Sequence, residues 1–541
     1  MTRITYVVFT IGNNPMDSYD FIVVGSGFGG SVSALRLAEK GYSVCVIESG
    51  KRWRAQDFPR TNWAFWKFLW APALGCYGIQ RLQFLNDVLI VAGSGVGGGS
   101  LVYANTLPKP PDDFYHDPQW QDLTPDWKSE LAPHYATARR MLGVVPNPRF
   151  WPTDHMLEDY AREIGREEHF KPAEVGVFFG SSGETVPDPF FGGKGPPRTG
   201  CTHTGHCMVG CRDGGKNSLD RNYLYLAEGL GATIIPEHKV IDIQPSRGGG
   251  YRVTFNKVTG IGPKAKQNVQ AKGVILAAGV LGTLELLLRC RENGSLPGLS
   301  PMLGQIVRTN SEVLAGATAK KNSETHSYGV SITSSLFVNE KTNVQLVRYP
   351  AGSDLMGLFG GIITDGGGRV PRPLKHIGMC LRHPLWFLRT LSLFGWGRKT
   401  VVLLVMQTLD NHITLRLRRC WWALFRRVLA SSTDGDAIPT YIPEANAAVR
   451  GMAKRMNGIP QNAITESLFN IPMSAHILGG CVMGQDAGSG VIDKHHRLFG
   501  YDNMYVVDAS AISANLGVNP SLTITAMAER AMSRIPPKKT E

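Results

Sequence analysis

No stretch of this 541-residue chain reads as a membrane-crossing helix: its longest uncharged run, Val88–Pro108, holds five glycines in seven positions and reads as a loop. The opening MTRITYVVFTIGNNPMD has one Arg and no apolar core ending in a small-residue cleavage site, so no signal peptide is expected. Met16 directly precedes the first expected strand, which makes residues 1–15 a frayed extension or a start placed too early. Cysteine is sparse. The nine thiols (45, 76, 201, 207, 211, 290, 380, 420 and 481) are odd in number and scattered, which argues against a disulfide scaffold and for reduced thiols in a cytoplasmic or peripheral-membrane setting. Internal repeats and long low-complexity linkers are lacking too. Acid nearly vanishes from Arg369 to Ala430, where Asp410 alone faces twelve Lys and Arg, so most of the net charge of +13 sits in one segment.

What is present fits a folded, loop-rich α/β enzyme, with 43% hydrophobic residues, 62 glycines and a length beyond a single core. In DFIVVGSGFGGSVSALRLAEKGYSVCVIESG, the apolar strand Phe21–Val24 runs into Gly25, Gly27 and Gly30, with Phe28 and Gly29 between. An Ala- and Leu-bearing helix follows, then a second strand ending on Glu48. The glycines permit a tight turn and the approach of a pyrophosphate to a helix N-terminus; an acid about 20 residues on accepts a ribose hydroxyl and disfavours a 2′-phosphate. A bare glycine turn is the plain alternative, and the complete strand–helix–strand–acid unit outweighs it.

Other segments bear on which dinucleotide is bound. GSGVGGGSLVYAN (Gly93–Asn105) sets Gly93, Gly95, Gly97, Gly98 and Gly99 around Ser94 and Ser100. It is either a flexible surface loop or backbone lying against a flat or charged ligand, where a Cβ would collide. KGVILAAGVLGTLELLLRC reads as strand, Ala277-Ala278-Gly279 turn and a leucine-rich helix from about Thr283, an ordinary crossover or the later phosphate-side strand of an FAD fold. In YDNMYVVDASAIS, Asp508 ends a strand and either caps a turn or approaches a ribityl chain and pyrophosphate. GVNPSLTITAMAERAM reads as a helix with Asn519 as N-cap, Pro520 at N1 and Ser521 next, its first amides free for an anion. In HILGGCVMG, His476 is a satisfied core histidine or the group that takes an alcohol's proton.

In this order the blocks resemble the glucose–methanol–choline (GMC) oxidoreductases, nearest their bacterial cholesterol oxidase branch with non-covalent FAD, from about residue 17 to 535. The resemblance implies hydride transfer from an alcohol to flavin, with oxygen as acceptor. It places His476 on the substrate oxygen and Asn519 beside the ring. Gly25, Gly27, Phe28, Gly29, Gly30, Glu48, Gly93, Gly95, Gly98, Gly99, Ser100, Asn105, Val240, Ala278, Asp508, Asn519, Pro520 and Ser521 are expected about the FAD. The chain then divides into a Rossmann-like FAD-binding domain (17–115, 205–310 and 470–541) and an α+β substrate domain (116–204 and 311–469) with a large, mainly antiparallel sheet. That sheet is expected to carry Val344–Val347 and Val401–Leu417. The substrate expected is a hydrophobic secondary alcohol, foremost a 3β-hydroxysteroid such as cholesterol. A GMC enzyme of another lipid or terpenoid alcohol, using oxygen or another acceptor, and a non-catalytic steroid-binding flavoprotein are the alternatives.

One position departs from the branch, whose members move a double bond with a strand glutamate. TNVQLVRYPAGSD matches that strand with Gln345 in the acid's place, and Glu340 shares its side only across a bulge. An amide does not cycle a proton, so isomerisation of a 5-ene-3-ketone is expected to be weak or absent. CTHTGHCMVGC brings Cys201, His203, His206, Cys207 and Cys211 together; zinc is conceivable, but Thr204 breaks an iron–sulfur pattern and a tight loop without metal is preferred. RHPLWFLRTLSLFGWGRK interleaves Trp386, Phe387, Phe394 and Trp396 with Arg; TVVLLVMQT and ITLRLRR read as a strand pair, and CWWALFRRV follows. No nucleic-acid readout module accompanies the charge, which suits an anionic membrane interface or a solvated basic face with its apolar side in the core. VPDPFFGGKGPPRTG and DGGGRVPRP are expected to be mobile loops, the first gating access.

Overall fold

A computed structural model describes residues 18–260, 262–320, 325–420, 425–433 and 435–539; the opening MTRITYVVFTIGNNPMD and the centre of CWWALFRRV lie outside them. Two seven-stranded sheets organise the rest. In the first, the parallel strands Thr233–Ile235, Val44–Ile47, Ser18–Val24, Lys266–Leu276 and Met504–Val506 lie side by side. The antiparallel pair Tyr251–Lys257 and His238–Pro245 extends it. Strands covered on both faces read as continuous apolar runs, as FIVV and VCVI do. In register, Val24 pairs with Ile47 and Leu276, and Leu276 with Val506. Hence Gly25, Glu48, Ala277–Ala278 and Val507–Asp508 all emerge at one edge, the C-terminal ends of the strands, where open α/β sheets bind ligands. Helices Phe28–Glu39 and Ser521–Ser533 pack against each other on this sheet.

The second sheet is antiparallel throughout, in the order Gly360–Ile362, Gly458–Ala463, Val313–Ala319, Thr400–Gln407, Thr342–Val347, Ile332–Phe337, Phe170–Pro172. Val344 and Leu346 face a core shared with helices Pro152–Glu163 and Pro443–Arg455. The mixed α/β class, Rossmann-like unit plus large antiparallel sheet, is as the sequence indicates.

Two local expectations are corrected. TVVLLVMQT and ITLRLRR do not pair: Thr400–Gln407 joins the large sheet, whereas Thr414–Arg419 leaves it and pairs with Arg427–Ser432. The reason is the alternation Leu415–Arg416–Leu417–Arg418, whose leucines pack on the core of the first sheet while arginines face water. Asn519 is not the cap of the terminal helix. Ile524 N–H bonds Pro520 O at 2.8 Å, Pro520 occupies the cap position, and no side chain caps it. VPDPFFGGKGPPRTG is folded on itself, the Asp188 carboxylate accepting N–H bonds from Phe190, Phe191, Gly193 and Gly195.

Candidate functional site

The fingerprint turn is shaped by contacts only glycine allows. Gly25 has φ +95°, and a Cβ on Gly30 would lie 2.0 Å from Gly25 O, one on Gly29 2.1 Å from Val507 O. Gly27 differs: a Cβ there would approach nothing nearer than Ala277 O at 4.0 Å, so its bareness serves no packing and leaves room for a ligand. Ser31 N–H makes the helix's first internal bond, to Gly27 O, so the amides of Phe28, Gly29 and Gly30 precede it. The second glycine loop lies on the first. A Cβ on Gly98 would meet Gly27 Cα at 2.7 Å, and Gly97 N–H donates to Ser26 Oγ. Ser26, unremarked in the sequence reading, joins the two loops to Glu48, donating to Oε2 from both its N–H and its Oγ. Glu48 Oε1 accepts Gly50 N–H.

The other expected cofactor residues separate by what their side chains are free to do. Ser100 Oγ is taken up by Gly97 O and Leu219 N, and both Asp508 oxygens by Gly279, Thr283 and Ser510. Burial raises the Asp508 carboxyl above its ordinary range. Those two therefore shape backbone. Ala278 lies 2.8 Å from where a Gly25 Cβ would stand. Gly93 is pressed against Gly99 and Gly95 against Leu101, so neither tolerates a Cβ. Val240 is buried two residues beyond His238, whose N–H donates to Glu48 O. Asn105 is the informative one: fully buried, with φ +66°, it leaves both Oδ1 and Nδ2 without a partner. Orphaned buried amide atoms are costly unless a ligand or water meets them.

His476 is positioned by two short pairings. Met473–Ser474 lies parallel to Leu89–Gly93, the strand that enters the second glycine loop. Leu478–Gly479 pairs with Val307–Arg308, which carries the chain on to Glu312. Glu312, wholly buried, sits 2.8 Å from His476 Nδ1 and accepts from Ser474 Oγ and Ala475 N. On the other side Asn519 Nδ2 stands 3.4 Å from His476 Nε2, and Asn519 Oδ1 is buried and unpartnered. Asn310 fixes the turn before it, accepting Gly517 N–H and donating to Val518 O. Glu312 and Asn310 carried no signal in the sequence: they act 164 and 207 residues away, from a stretch without motif.

Gln345 sits on an interior strand of the antiparallel sheet, opposite Ser335 and Leu404. Its strand neighbours Val344 and Leu346 face the helices; Leu404 and Val347 belong to the opposite cluster, which includes Ala104 beside Asn105. Gln345 Oε1 is buried without a partner. Glu340 is exposed in the preceding turn and paired to Arg166. The three loop thiols hold no common centre, Cys207 being buried against Val330 and Ile332 while its carbonyl accepts Lys216 Nζ. Among the described residues no group of three His, Cys, Asp or Glu is arranged to hold a metal.

Comparison with known proteins shows the family. The GMC oxidoreductase family matches residues 197–291 and 403–528, and an NAD(P)-binding Rossmann-like domain matches 23–62. The chain is 45% identical to a cholesterol oxidase of Acinetobacter baumannii, covering 96% of this chain and 95% of that one. It is 48% identical to a cholesterol oxidase of Mycobacterium tuberculosis, covering 96% and 91%. A 2-methyl-1,2-propanediol dehydrogenase of Mycolicibacterium austroafricanum is 25% identical over 95% of this chain and 94% of its own. Among solved structures, pyridoxine 4-oxidase from Mesorbium loti shares the fold, with TM-score 0.59 at 15% identity over 95% and 98% of the two chains.

Proposed function

From its membership of the GMC oxidoreductases, the family to which this chain belongs, we propose that the protein oxidises a 3β-hydroxysteroid to the ketone with oxygen as final acceptor. The protein is an FAD-dependent alcohol oxidoreductase. The same reading assigns residues 17–115, 205–310 and 470–541 to the FAD and 116–204 and 311–469 to the substrate, in a cytoplasmic enzyme that meets its sterol at an anionic membrane.

The residues present fit the cofactor: glycines bare of Cβ along two touching loops, the orphaned amide of Asn105 and the unpartnered amide oxygen of Asn519. The Gly25–Gly30 turn would take the pyrophosphate and Glu48 the ribose, with Gly93–Ser100, Asn105 and Pro520–Ser521 toward the ring. Bound there, FAD supplies the hydride acceptor. The protein's own part is proton handling and orientation. With Nδ1–H directed at Glu312, His476 Nε2 is left as an acceptor and takes the hydroxyl proton. Asn519 holds the oxygen in line, and the leading amides of the terminal helix favour nearby negative charge. Gln345, in the acid's place, leaves a 5-ene bond where it was.

The observation that carries the reading is the Glu312–His476–Asn519 row, a base with a fixed tautomer beside an unpaired amide oxygen. Anaerobic addition of a panel of alcohols tests it. A 3β-hydroxysteroid should bleach the yellow flavin band, and air should then yield peroxide; bleaching by other alcohols alone would reject the steroid assignment.

A further inference from the structure

The helix Arg372–Arg382 is packed inside out. It buries Arg372 and His376, one turn apart, and turns Leu374, Ile377 and Leu381 outward. Arg372 Nε donates to Thr364 O, and His376 Nδ1 meets Thr364 Oγ1 at 3.0 Å, so the polar side is satisfied against the sheet edge. After His383 the helix Pro384–Thr390 continues the pattern, burying Thr390 and exposing Leu385 and Leu388. Phe394 follows, 88% exposed, beside Leu381 at 77% and Leu385 at 70%. Of the four aromatics singled out from the sequence, Phe394 alone is fully exposed: Trp396 is buried, Phe387 is partly covered, and Trp386 is partly covered and stacked on His383. Leu358 joins the patch from the neighbouring turn, where Gly357 packs on Leu393 and Trp396.

Large apolar side chains turned outward at this density on two successive helices are unfavourable in water and mark a surface that something apolar covers. Its charge tells what. From Gly366 to Leu409 there is no acid and there are seven Lys or Arg, of which Arg382, Arg389 and Arg398 are exposed beside the leucines. Basic residues rimming an outward apolar helix face are the signature of a segment lying in the headgroup region of an anionic bilayer. Among the described residues no helix is long and apolar enough to cross a membrane, so the contact is peripheral.

We propose that the helices Arg372–Arg382 and Pro384–Thr390, with Phe394, form a monotopic seat that inserts Leu374, Ile377, Leu381, Leu385 and Leu388 into one leaflet of an anionic phospholipid bilayer. The seat is tied to the candidate site's walls: Trp396, just beyond it, packs in one cluster with Tyr349 and with Leu101 of the second glycine loop. Its use in drawing a sterol from the bilayer rests on the substrate reading above; the seat itself does not.

The test is co-sedimentation of FAD-loaded enzyme, without sterol, with phosphatidylcholine vesicles and with phosphatidylcholine–phosphatidylglycerol vesicles. Binding should favour the anionic vesicles and fall several-fold as salt is raised. The triple variant Leu381→Gln, Leu385→Gln, Leu388→Gln should lose binding at least about tenfold. Its flavin absorbance and its activity on detergent-dispersed substrate should stay within about twofold of wild type, showing that the fold is intact. Equal binding to both vesicle types, or a triple variant that binds like wild type, overturns the seat. So does a wild-type dimer in lipid-free buffer that the triple variant converts to monomer, since the leucines would then be covered by a second copy. Vesicle binding with no sterol oxidation would instead reject the substrate reading and leave the seat standing.

Discussion

Glu312→Gln is the sharpest perturbation the site offers, because it changes one proton rather than one shape. With the glutamine oxygen at the Oε1 position it can still accept Ala475 N–H, and Ser474 Oγ keeps Thr309 O as its acceptor, so backbone packing there is retained. Its NH2 then faces His476 Nδ1, now 2.8 Å from a carboxylate oxygen, and the imidazole must accept at Nδ1 and carry its proton on Nε2. In that tautomer Nε2 cannot take the substrate's proton. Losing a hydrogen bond to a charged group costs about 1.5–3 kcal/mol, or roughly 10- to 150-fold in rate. The wrong tautomer adds to this, as in acid–histidine pairs of hydrolases, where the corresponding amide exchange costs about 10⁴-fold. The expected fall in single-turnover oxidation is therefore between about 10²- and 10⁴-fold, with FAD retained. Anaerobic rapid mixing followed by flavin absorbance reads the rate, and its pH profile should differ from that of the wild type. A variant within threefold or so of wild type, with an unchanged pH profile, would refute the assignment of Glu312 as the positioning residue.

Further outcomes follow from the same geometry. Gln345→Glu should confer isomerisation of a 5-ene-3-ketone, read by the ultraviolet absorbance of the conjugated product; rapid isomerisation by the wild type, abolished in Gln345→Ala, would overturn the reading. Gly27→Ala should fold with near wild-type stability yet hold FAD at least about tenfold more weakly. Gly30→Ala, with its Cβ 2.0 Å from Gly25 O, should destabilise the fold itself. Burial pushes the Glu466 carboxyl up from 4.5 to about 8, Arg372 opposing and Glu312 adding to the rise. The folded state therefore keeps a proton the unfolded chain has lost. The contribution is full below about pH 4.5, falls by up to about 1.4 kcal/mol per pH unit toward pH 8, and is flat beyond. Melting temperature should decline over that window less steeply in Glu466→Gln than in wild type, and equal slopes would reject the assignment.

The sequence disclosed what is local. Strand, glycine turn, helix and acid from Phe21 to Glu48 lie where their pattern puts them, because each step is fixed by its neighbours. Partner choice was not legible. The runs around Val401 and Leu415 both have strand character, and only packing of Leu415 and Leu417 on the first sheet's core decides that they part. Asn519 looked like a cap because Asn before Pro usually is one; here Asn310 and Asn515 pin the approach from a distance, and the side chain is turned to His476 instead. The outward stripe of Leu374, Ile377 and Leu381 went unread, and periodicity alone does not say whether such a stripe faces inward.

Oxidation of a sterol's hydroxyl at the His476–Asn519 pair is tested by anaerobic mixing of a 3β-hydroxysteroid with wild type and with Asn519→Leu, both loaded with FAD. The wild type should bleach rapidly and the variant at least about 30-fold more slowly, with FAD affinity changed far less. A wild type that the sterol leaves yellow, or a variant that bleaches at the wild-type rate, would contradict it.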